Sequence, residues 1–171
     1  MAFSLIDVLA DPMSAADHLR SSSAVYGVTD ATGRSTDTGA AILEVSLRPL
    51  PAFESEGYPD EHVRIVIQSD CRVLAFPRGT SGRPFLHRNL WPTTELCLQY
   101  DRDDPALKWV PEDGLEPLVT MVHRHLIFEE HWRRTGQWPT EDAPHGHAPT
   151  GGAHPIRTAQ LREEVDRWAR S

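Results

Sequence analysis

Lysine is almost absent from this sequence: Lys108 is the single lysine, and arginine supplies the rest of the 17 cationic side chains. Aspartate and glutamate together number 25, so the formal net charge at pH 7 is −8. A chain of this charge repels phosphate backbones, whose binding requires clustered lysine and arginine. We therefore expect that nucleic acid is not a partner of this protein.

Long apolar runs are also absent. No stretch of about 18 consecutive apolar residues occurs, so the sequence predicts no membrane-spanning helix and no membrane partner. The N-terminal segment begins with apolar residues but has no basic region, and it carries acidic residues where a signal peptide has its cleavage region. We expect a cytoplasmic protein.

Two motifs of nucleotide and acyl chemistry are missing from the chain. No glycine-rich nucleotide-binding loop follows a predicted strand, so we expect no cofactor and no adenylation of a carboxyl group by this chain. No nucleophile elbow surrounds a serine, which argues against the common serine hydrolase arrangement. An activated acyl group would therefore have to be supplied by another protein.

Cysteine is scarce, with only Cys71 and Cys97 present. Two cysteines in a cytoplasmic chain are normally reduced, and their spacing is not that of a zinc knuckle or a redox pair. Cysteine is among the most frequently buried residue types, so a core position is the default interpretation of Cys97, between Leu96 and Leu98. The same interpretation applies to Cys71, which lies at a predicted strand position.

Histidine is abundant, which raises the question of a metal site. His123, His125 and His131 lie on one predicted helix, and three more follow in the tail. Residues two apart on a helix point to different sides, so His123 and His125 do not form a simple ligand pair. No cysteine or acidic partner completes a usual zinc set. We expect structural or solvated histidines and no metal. The tail histidines are His145, His147 and His154.

Alternating apolar residues predict three strands, at residues 40–48, 62–68 and 71–76, with Pro77 ending the third. A proline- and glycine-containing loop, residues 50–61, follows the first strand, and a tight turn at Ser69-Asp70 follows the second, which favours an antiparallel meander. A short fourth candidate, VYGV, spans residues 25–28 within the small, polar stretch 21–39, which predicts either a mobile connection or an edge hairpin.

Helical spacing occurs on both sides of these strands. Residues 3–20 predict one helix or two short pieces, because Pro12 interrupts the pattern. A long amphipathic helix is predicted to begin with Asp113 as its N-cap and to run to about Arg134, before Gly136. This order of elements predicts an α+β fold, in which an antiparallel sheet packs against helices.

The C-terminal part of the chain differs in composition. We expect residues 1–142 to form one domain. Residues 143–171 then form a linker rich in proline, glycine and histidine, followed by a short amphipathic helix over 157–170 that packs on the same domain.

The stretch from Phe85 to Trp109 carries the residues with the clearest chemical potential. His87 and Asn89 form a His-x-Asn pair, and seven residues separate Asn89 from Cys97. A cysteine thiol can form a thioester with an acyl group. A side-chain amide such as that of Asn89 can donate a hydrogen bond to the oxyanion that forms when an amine attacks a thioester. His87 is better suited to ordering the loop than to accepting protons.

This order of residues resembles the active-site stretch of ubiquitin-conjugating enzymes. In that family a His-Pro-Asn tripeptide precedes the thioester-forming cysteine by the same interval, and an aliphatic residue, a tryptophan and a helix follow. The resemblance implies a ubiquitin-conjugating-enzyme-like fold and a transferase that carries a protein C-terminus on Cys97. Its catalytic residues would be Cys97, Asn89 and His87.

Two departures from the family pattern are visible. Arg88 stands where the family has its proline. The interval from Cys97 to Trp109 is several residues longer than usual, which indicates that residues 101–106, DRDDPA, are an insertion.

A second set of residues lies further along the chain: His125-Leu126, Glu129, Arg134-Thr135-Gly136, Trp138-Pro139 and His145-Gly146. This set resembles the tail of bacterial ubiquitin-conjugating-like proteins of CBASS anti-phage operons. This narrower resemblance implies that the carried protein is a cyclic-oligonucleotide synthase, a nucleotidyltransferase whose conjugation raises its activity. It also allows a separate activating enzyme as a second partner.

Other functions are compatible with the same residues. A non-catalytic module of the same fold would bind a partner without chemistry, and full burial of Cys97 would favour it. A related transferase would carry a bacterial ubiquitin-like protein instead of a synthase. A small cysteine hydrolase is the weakest alternative, because the sequence places no histidine where it would serve Cys97 as a base.

Overall fold

A four-stranded antiparallel sheet forms the centre of the fold, in the order β1-β2-β3-β4. The computed structural model describes residues 3–79, 82–89, 94–99 and 108–139. The strands are β1 (Val28–Ser35), β2 (Ala41–Leu47), β3 (Glu61–Ile67) and β4 (Val73–Arg78). The helices are α1 (Leu5–Ala10), α2 (Pro12–Ser21), α3 (Pro51–Ser55) and α4 (Leu115–Thr135). The predicted α+β class is confirmed.

The two central strands follow the alternation in the sequence. Strands β2 and β3 pair along their full length, with Val45 opposite Val63 and Leu43 opposite Ile65. These residues lie on one face of the sheet and join the buried core. The described helices α1, α2 and α4 contribute their apolar residues to the same core, among them Leu5, Ala15, Leu19, Leu118, Val122 and Leu126.

Helix α4 begins slightly later than the sequence predicts. Asp113 is not its N-cap; this residue ends a short 3-10 helix, Pro111–Asp113, and its carboxylate accepts the N–H of Val110 at 2.9 Å. The N–H of Leu115, the first residue of α4, instead donates to the carbonyl of Phe3 at 2.9 Å. The helix ends at Thr135, where Gly136 adopts the left-handed conformation with φ 74°, as predicted.

The N-terminal helices form the two pieces that Pro12 predicted. Asp11 accepts the N–H of Ser14 at 3.0 Å and so caps α2 directly after α1 ends. The start of α2 lies against β1 at Gly33, where an added Cβ would be 1.8 Å from the carbonyl oxygen of Pro12. Only glycine therefore allows this close approach of helix and strand.

The structure differs from the predicted elements in three places. An edge hairpin forms, which is one of the two alternatives predicted for residues 21–39, but its strand β1 begins at the last residue of VYGV and runs through polar sequence to Ser35. The loop that follows β2 contains the short helix α3. Cys71 is not in a strand; it lies in the turn between β3 and β4 with φ 62°, and its N–H donates to Gln68 at 2.9 Å.

Pro77 lies inside β4 and does not end it. It is paired with Val63 of β3. The carbonyl of Ala75 points away from β3, since it accepts the N–H of Leu96 at 2.8 Å. Residues two apart in a strand point the same way, so the missing N–H of Pro77 also faces outward and β3 loses no hydrogen bond.

Among the helices in the described part of the chain, none has both the length and the apolar character needed to cross a bilayer. The predicted insertion at 101–106, the linker and the helix at 157–170 lie outside the described residues, and so does the domain boundary at 142.

Candidate functional site

The three predicted site residues meet in a short antiparallel pairing beside the sheet. Arg88 and Leu96 form an isolated antiparallel bridge. The N–H of Cys97 donates to the carbonyl of His87 at 2.8 Å, and the N–H of Asn89 donates to the carbonyl of Glu95 at 2.9 Å. These two hydrogen bonds place His87 opposite Cys97 and Asn89 opposite Glu95.

This register determines which residues are neighbours. Residues opposite each other in an antiparallel pair share one side, as do residues two apart in one strand, so His87, Asn89 and Cys97 occupy positions on the same side. Asn89 and Cys97 are diagonal neighbours, for which the Cα atoms are typically about 7–8 Å apart. Asn89 is exposed and Cys97 is half-buried. The full burial that would favour a binding-only module is therefore not observed.

The sheet edge supports the position of Cys97. Leu96, the residue before it, donates its N–H to Ala75 of β4 at 2.8 Å and is only 4% exposed. On the other side, the amide of Gln99 donates to the carbonyl of Trp109 at 3.1 Å, and the indole N–H of Trp109 donates to Gly114 at 3.1 Å. The backbone around Cys97 is thereby connected both to β4 and to the start of α4.

A buried acid on α4 holds the other half of the pairing. The side chain of Glu129 is fully buried. One carboxylate oxygen accepts the N–H of His87 at 2.7 Å, and the other accepts the N–H of Leu86 at 2.8 Å. A ring nitrogen of His125, one turn earlier on α4, lies 3.5 Å from the same carboxylate. The backbone before Asn89 is thus attached to the helix.

Opposing effects act on the charge of Glu129. Burial raises the pKa of this carboxyl, but hydrogen bonds from His125 and from the N–H groups of Leu86 and His87 lower it further than burial raises it. The pKa of Glu129 therefore lies below its ordinary value. The group is a carboxylate at neutral pH, which makes it an acceptor for both N–H groups.

The His87 side chain is buried and packs in an aromatic cluster whose other members include the partly buried Trp138 and Phe128. Its ring is 3.9 Å from the Trp138 ring, centroid to centroid, and 6.1 Å from the His125 ring. Trp138 also contacts Phe128 at 5.6 Å, with nearly perpendicular rings. His87 is only 3% exposed, so it contributes to the site mainly through its backbone and its packing.

Arg88 stands where the ubiquitin-conjugating enzymes that this stretch resembles have a proline. Its side chain forms a hydrogen bond across the pairing. Its Nε donates to the carbonyl of Thr94, and its guanidinium lies 5.3 Å from the centroid of the Phe85 ring. Burial lowers the pKa of Arg88, while the carboxylates of Glu129 and Glu95 raise it. A side-chain hydrogen bond across the pairing thus supplies a constraint in place of a rigid proline ring.

Replacement of Arg88 by alanine should measure that constraint. We expect Arg88→Ala to lower the free energy of unfolding by about 1–2 kcal/mol, because a partly buried carbonyl loses its charged donor. Arg72→Ala is the matched control, since Arg72 bonds Asp70 at 2.6 Å on the surface and its loss should change stability by less than about 0.5 kcal/mol. Urea denaturation followed by tryptophan fluorescence measures both. Equal losses would show that the Thr94 bond contributes nothing.

The remaining helix histidines have contacts within the fold. His123 bonds the backbone of Tyr26 and Arg48, and its burial lowers the pKa of its ring. A ring nitrogen of His131 lies 3.2 Å from the hydroxyl of Tyr58. Within residues 3–79, 82–89, 94–99 and 108–139, no group of three or more histidine, cysteine or acidic side chains is arranged to hold a metal ion.

Sequence reasoning noted Glu129 and Trp138 only as parts of a resemblance and did not identify their contacts with His87. The available signal was an acidic residue on the apolar stripe of a predicted helix, since a buried acid requires partners. Comparisons of the chain with protein-family models, with curated proteins and with solved structures yield no match. A functional assignment therefore depends on the geometry and chemistry of the site.

Proposed function

We propose that this protein is a ubiquitin-conjugating-like transferase that carries the C-terminus of another protein as a thioester on Cys97. The observation that supports this best is the register of the bridge, which puts Asn89 on the same side as Cys97 and two residues along. The half-burial of Cys97 and the exposure of Asn89 are compatible with an approaching acyl chain. We further propose that the α+β fold belongs to the ubiquitin-conjugating-enzyme-like type.

Loading of Cys97 requires an acyl group that has already been activated. The thiolate attacks the carbonyl carbon of a C-terminal adenylate or thioester, a C–S bond forms, and adenosine monophosphate or a thiol departs. The sequence has no nucleotide-binding loop for this activation. A separate activating enzyme therefore donates the activated acyl group to Cys97.

In transfer the sulfur of Cys97 is the leaving group, whereas in loading it is the nucleophile. The nitrogen of an amine attacks the thioester carbon, which forms the C–N bond and an oxyanion. The oxyanion collapses, the C–S bond breaks, and the Cys97 thiolate that leaves takes up the proton lost by the amine, directly or through solvent. The side-chain amide of Asn89 is proposed to donate to the oxyanion. His87 is proposed to act as a positioning residue, because its carbonyl accepts the N–H of Cys97 at 2.8 Å.

The identity of the carried protein comes from the narrower resemblance. Trp138, one of the residues that carry it, packs on His87 at 3.9 Å, and Glu129, another, bonds the N–H of His87. These residues therefore support the loop of the proposed transfer site. We propose that the substrate is a cyclic-oligonucleotide synthase in bacterial anti-phage defence, with a bacterial ubiquitin-like protein as the alternative cargo.

Reconstitution tests this function. The chain is mixed with a bacterial cyclic-oligonucleotide synthase, an activating enzyme, ATP and Mg²⁺, and the products are separated on a non-reducing gel. We expect a covalent adduct whose mass is the sum of the two chains less one water, and its release by dithiothreitol. A stable complex without a covalent adduct would identify a binding module and overturn the proposal. An adduct that resists the thiol would show that the bond is not a thioester.

A further inference from the structure

The backbone of His87 is held at both of its polar groups. Its N–H donates to Glu129 at 2.7 Å, and its carbonyl accepts the N–H of Cys97 at 2.8 Å. A ring nitrogen of His125 lies 3.3 Å from the same carbonyl. One residue therefore connects a buried carboxylate on α4 with the backbone of the proposed acyl carrier.

We infer that Glu129 is a positioning residue, which sets the location of Cys97 through the backbone of His87; its role in transfer rests on the proposed function. Two adjacent N–H groups require two acceptors at a fixed separation. A carboxylate provides both, whereas the amide of glutamine provides one acceptor and places a donor against the second N–H. A glutamate at position 129 can therefore accept the N–H groups of both Leu86 and His87, whereas a glutamine can accept only one of them.

Helix α4 makes this attachment rigid. Leu126 and Val122, within two turns before Glu129, are fully buried in the core that α4 shares with the sheet. Arg133, one turn later, donates to the carbonyl of Pro84 at 3.1 Å, and its guanidinium lies 5.1 Å from the Phe85 ring centroid. Consecutive turns of one helix thus hold consecutive residues of the loop that leads to the site.

Alkylation of Cys97 provides a readout that needs no partner protein. All variants carry Cys71→Ser, so that Cys97 is the single thiol, and N-ethylmaleimide is the probe. We expect Glu129→Gln to increase the alkylation rate about tenfold, because loss of a buried hydrogen bond raises the population of locally opened loop. We expect the same variant to slow single-turnover discharge to an amine by a similar factor, because misplacement of the thioester weakens alignment.

Glu116→Gln is the matched control. Glu116 is also a buried acid on α4 that contacts a histidine, His18 at 2.8 Å, but it accepts one backbone N–H, that of Phe3 at 3.3 Å, where Glu129 accepts two. It lies 13 residues before Glu129 in the sequence, which is roughly 20 Å along a helix. We expect Glu116→Gln to lower the melting temperature comparably but to leave alkylation and discharge within about twofold of the parent.

Amide hydrogen exchange on the unmodified chain adds a measurement that does not depend on a variant folding. The N–H groups of Leu86 and His87 should be protected as strongly as the core amides of α4. In the alkylation assay, Glu129→Asp keeps a carboxylate and should therefore react more slowly than Glu129→Gln, closer to the parent rate. Fast exchange at Leu86 and His87, or equal alkylation in the Glu129→Gln and Glu116→Gln variants, would overturn the inference. A wild-type chain that shows the protection but never forms an adduct would instead refute the proposed function and leave the positioning role standing.

Discussion

Cys97→Ala is expected to eliminate every covalent adduct with the carried protein, because the methyl side chain of alanine has no nucleophilic atom to attack the acyl carbon. The effect should be complete, not partial, since Cys71 lies in the turn between β3 and β4 and not at the bridge. Loading for one hour followed by intact-mass spectrometry would detect a small residual fraction. An adduct that persists in Cys97→Ala would place the acyl carrier elsewhere.

Two further variants separate chemistry from folding. Cys97→Ser keeps a nucleophilic oxygen of similar size, and we expect it to give an oxyester that survives dithiothreitol but is cleaved at alkaline pH. Cys71→Ala should load normally. Because Cys71 has a φ of 62°, alanine there keeps the backbone strain already present and should not rearrange the turn. A loss of loading in Cys71→Ala, with stability unchanged, would contradict the assignment of Cys97 as the single carrier.

The central strands and the long helix could be predicted because burial imposes a period on the sequence. Val63, Ile65 and Ile67 alternate along β3 and face the core that the sheet shares with the helices, while Arg64 and Val66 between them are buried on the opposite face. The stripe of α4 is equally regular from Leu115 to Leu126. Where one face of an element is buried, hydrophobic spacing reports its structure directly.

Strand β1, at the edge of the sheet, has no such alternation of apolar residues in its sequence. In β1 only Ala31 is buried, and the rest of the strand is half-exposed or exposed. An edge strand with little apolar burial has no alternation to detect, and its pairing with β2 arises from tertiary structure. Cys71 was misplaced for a related reason, because its apolar character suggested a strand while the turn requires a left-handed residue.

The spacing of the candidate site could be predicted, but its support could not. The resemblance implies that Asn89 and Cys97 act at one site, and the bridge between Arg88 and Leu96 places the two residues on the same side of the pairing. Glu129 lies 40 positions after Asn89 in the sequence. No local pattern indicates which backbone groups so distant a carboxylate will accept, since that depends on how α4 packs against the sheet.

Asn89→Ala is expected to separate loading from transfer. In loading, the oxyanion forms on an acyl group that the activating enzyme holds, whereas in transfer the amine attacks the thioester on Cys97 and the oxyanion forms on the acyl group that this chain holds. Removal of one preorganised donor typically slows such a step about a hundred- to a thousand-fold, equivalent to roughly 3–4 kcal/mol. The variant should therefore load Cys97 at nearly the parent rate and accumulate in the loaded form.

The backbone contribution of Asn89 is unchanged by this substitution. Its N–H donates to Glu95 at 2.9 Å, and alanine retains that bond, so the pairing should persist. Thr29→Ala is the matched control, because Thr29 is an exposed polar residue whose hydroxyl donates to the carbonyl of Ser46 at 3.3 Å. It lies on β1, at the edge of the sheet away from β4 and the bridge. We expect Thr29→Ala to change the discharge rate by less than about threefold, as for a contact outside the reacting atoms.

Asn89→Asp sharpens the test, because it preserves the shape of the side chain while replacing the N–H donor with a negative charge. A carboxylate beside a developing oxyanion adds repulsion to the loss of the hydrogen bond, so discharge should be slower in Asn89→Asp than in Asn89→Ala. Single-turnover loading and discharge, measured separately on each folded variant, provide the comparison. Equal loss in both steps would mean that Asn89 only supports the loop, and unchanged discharge would show that the oxyanion has another donor.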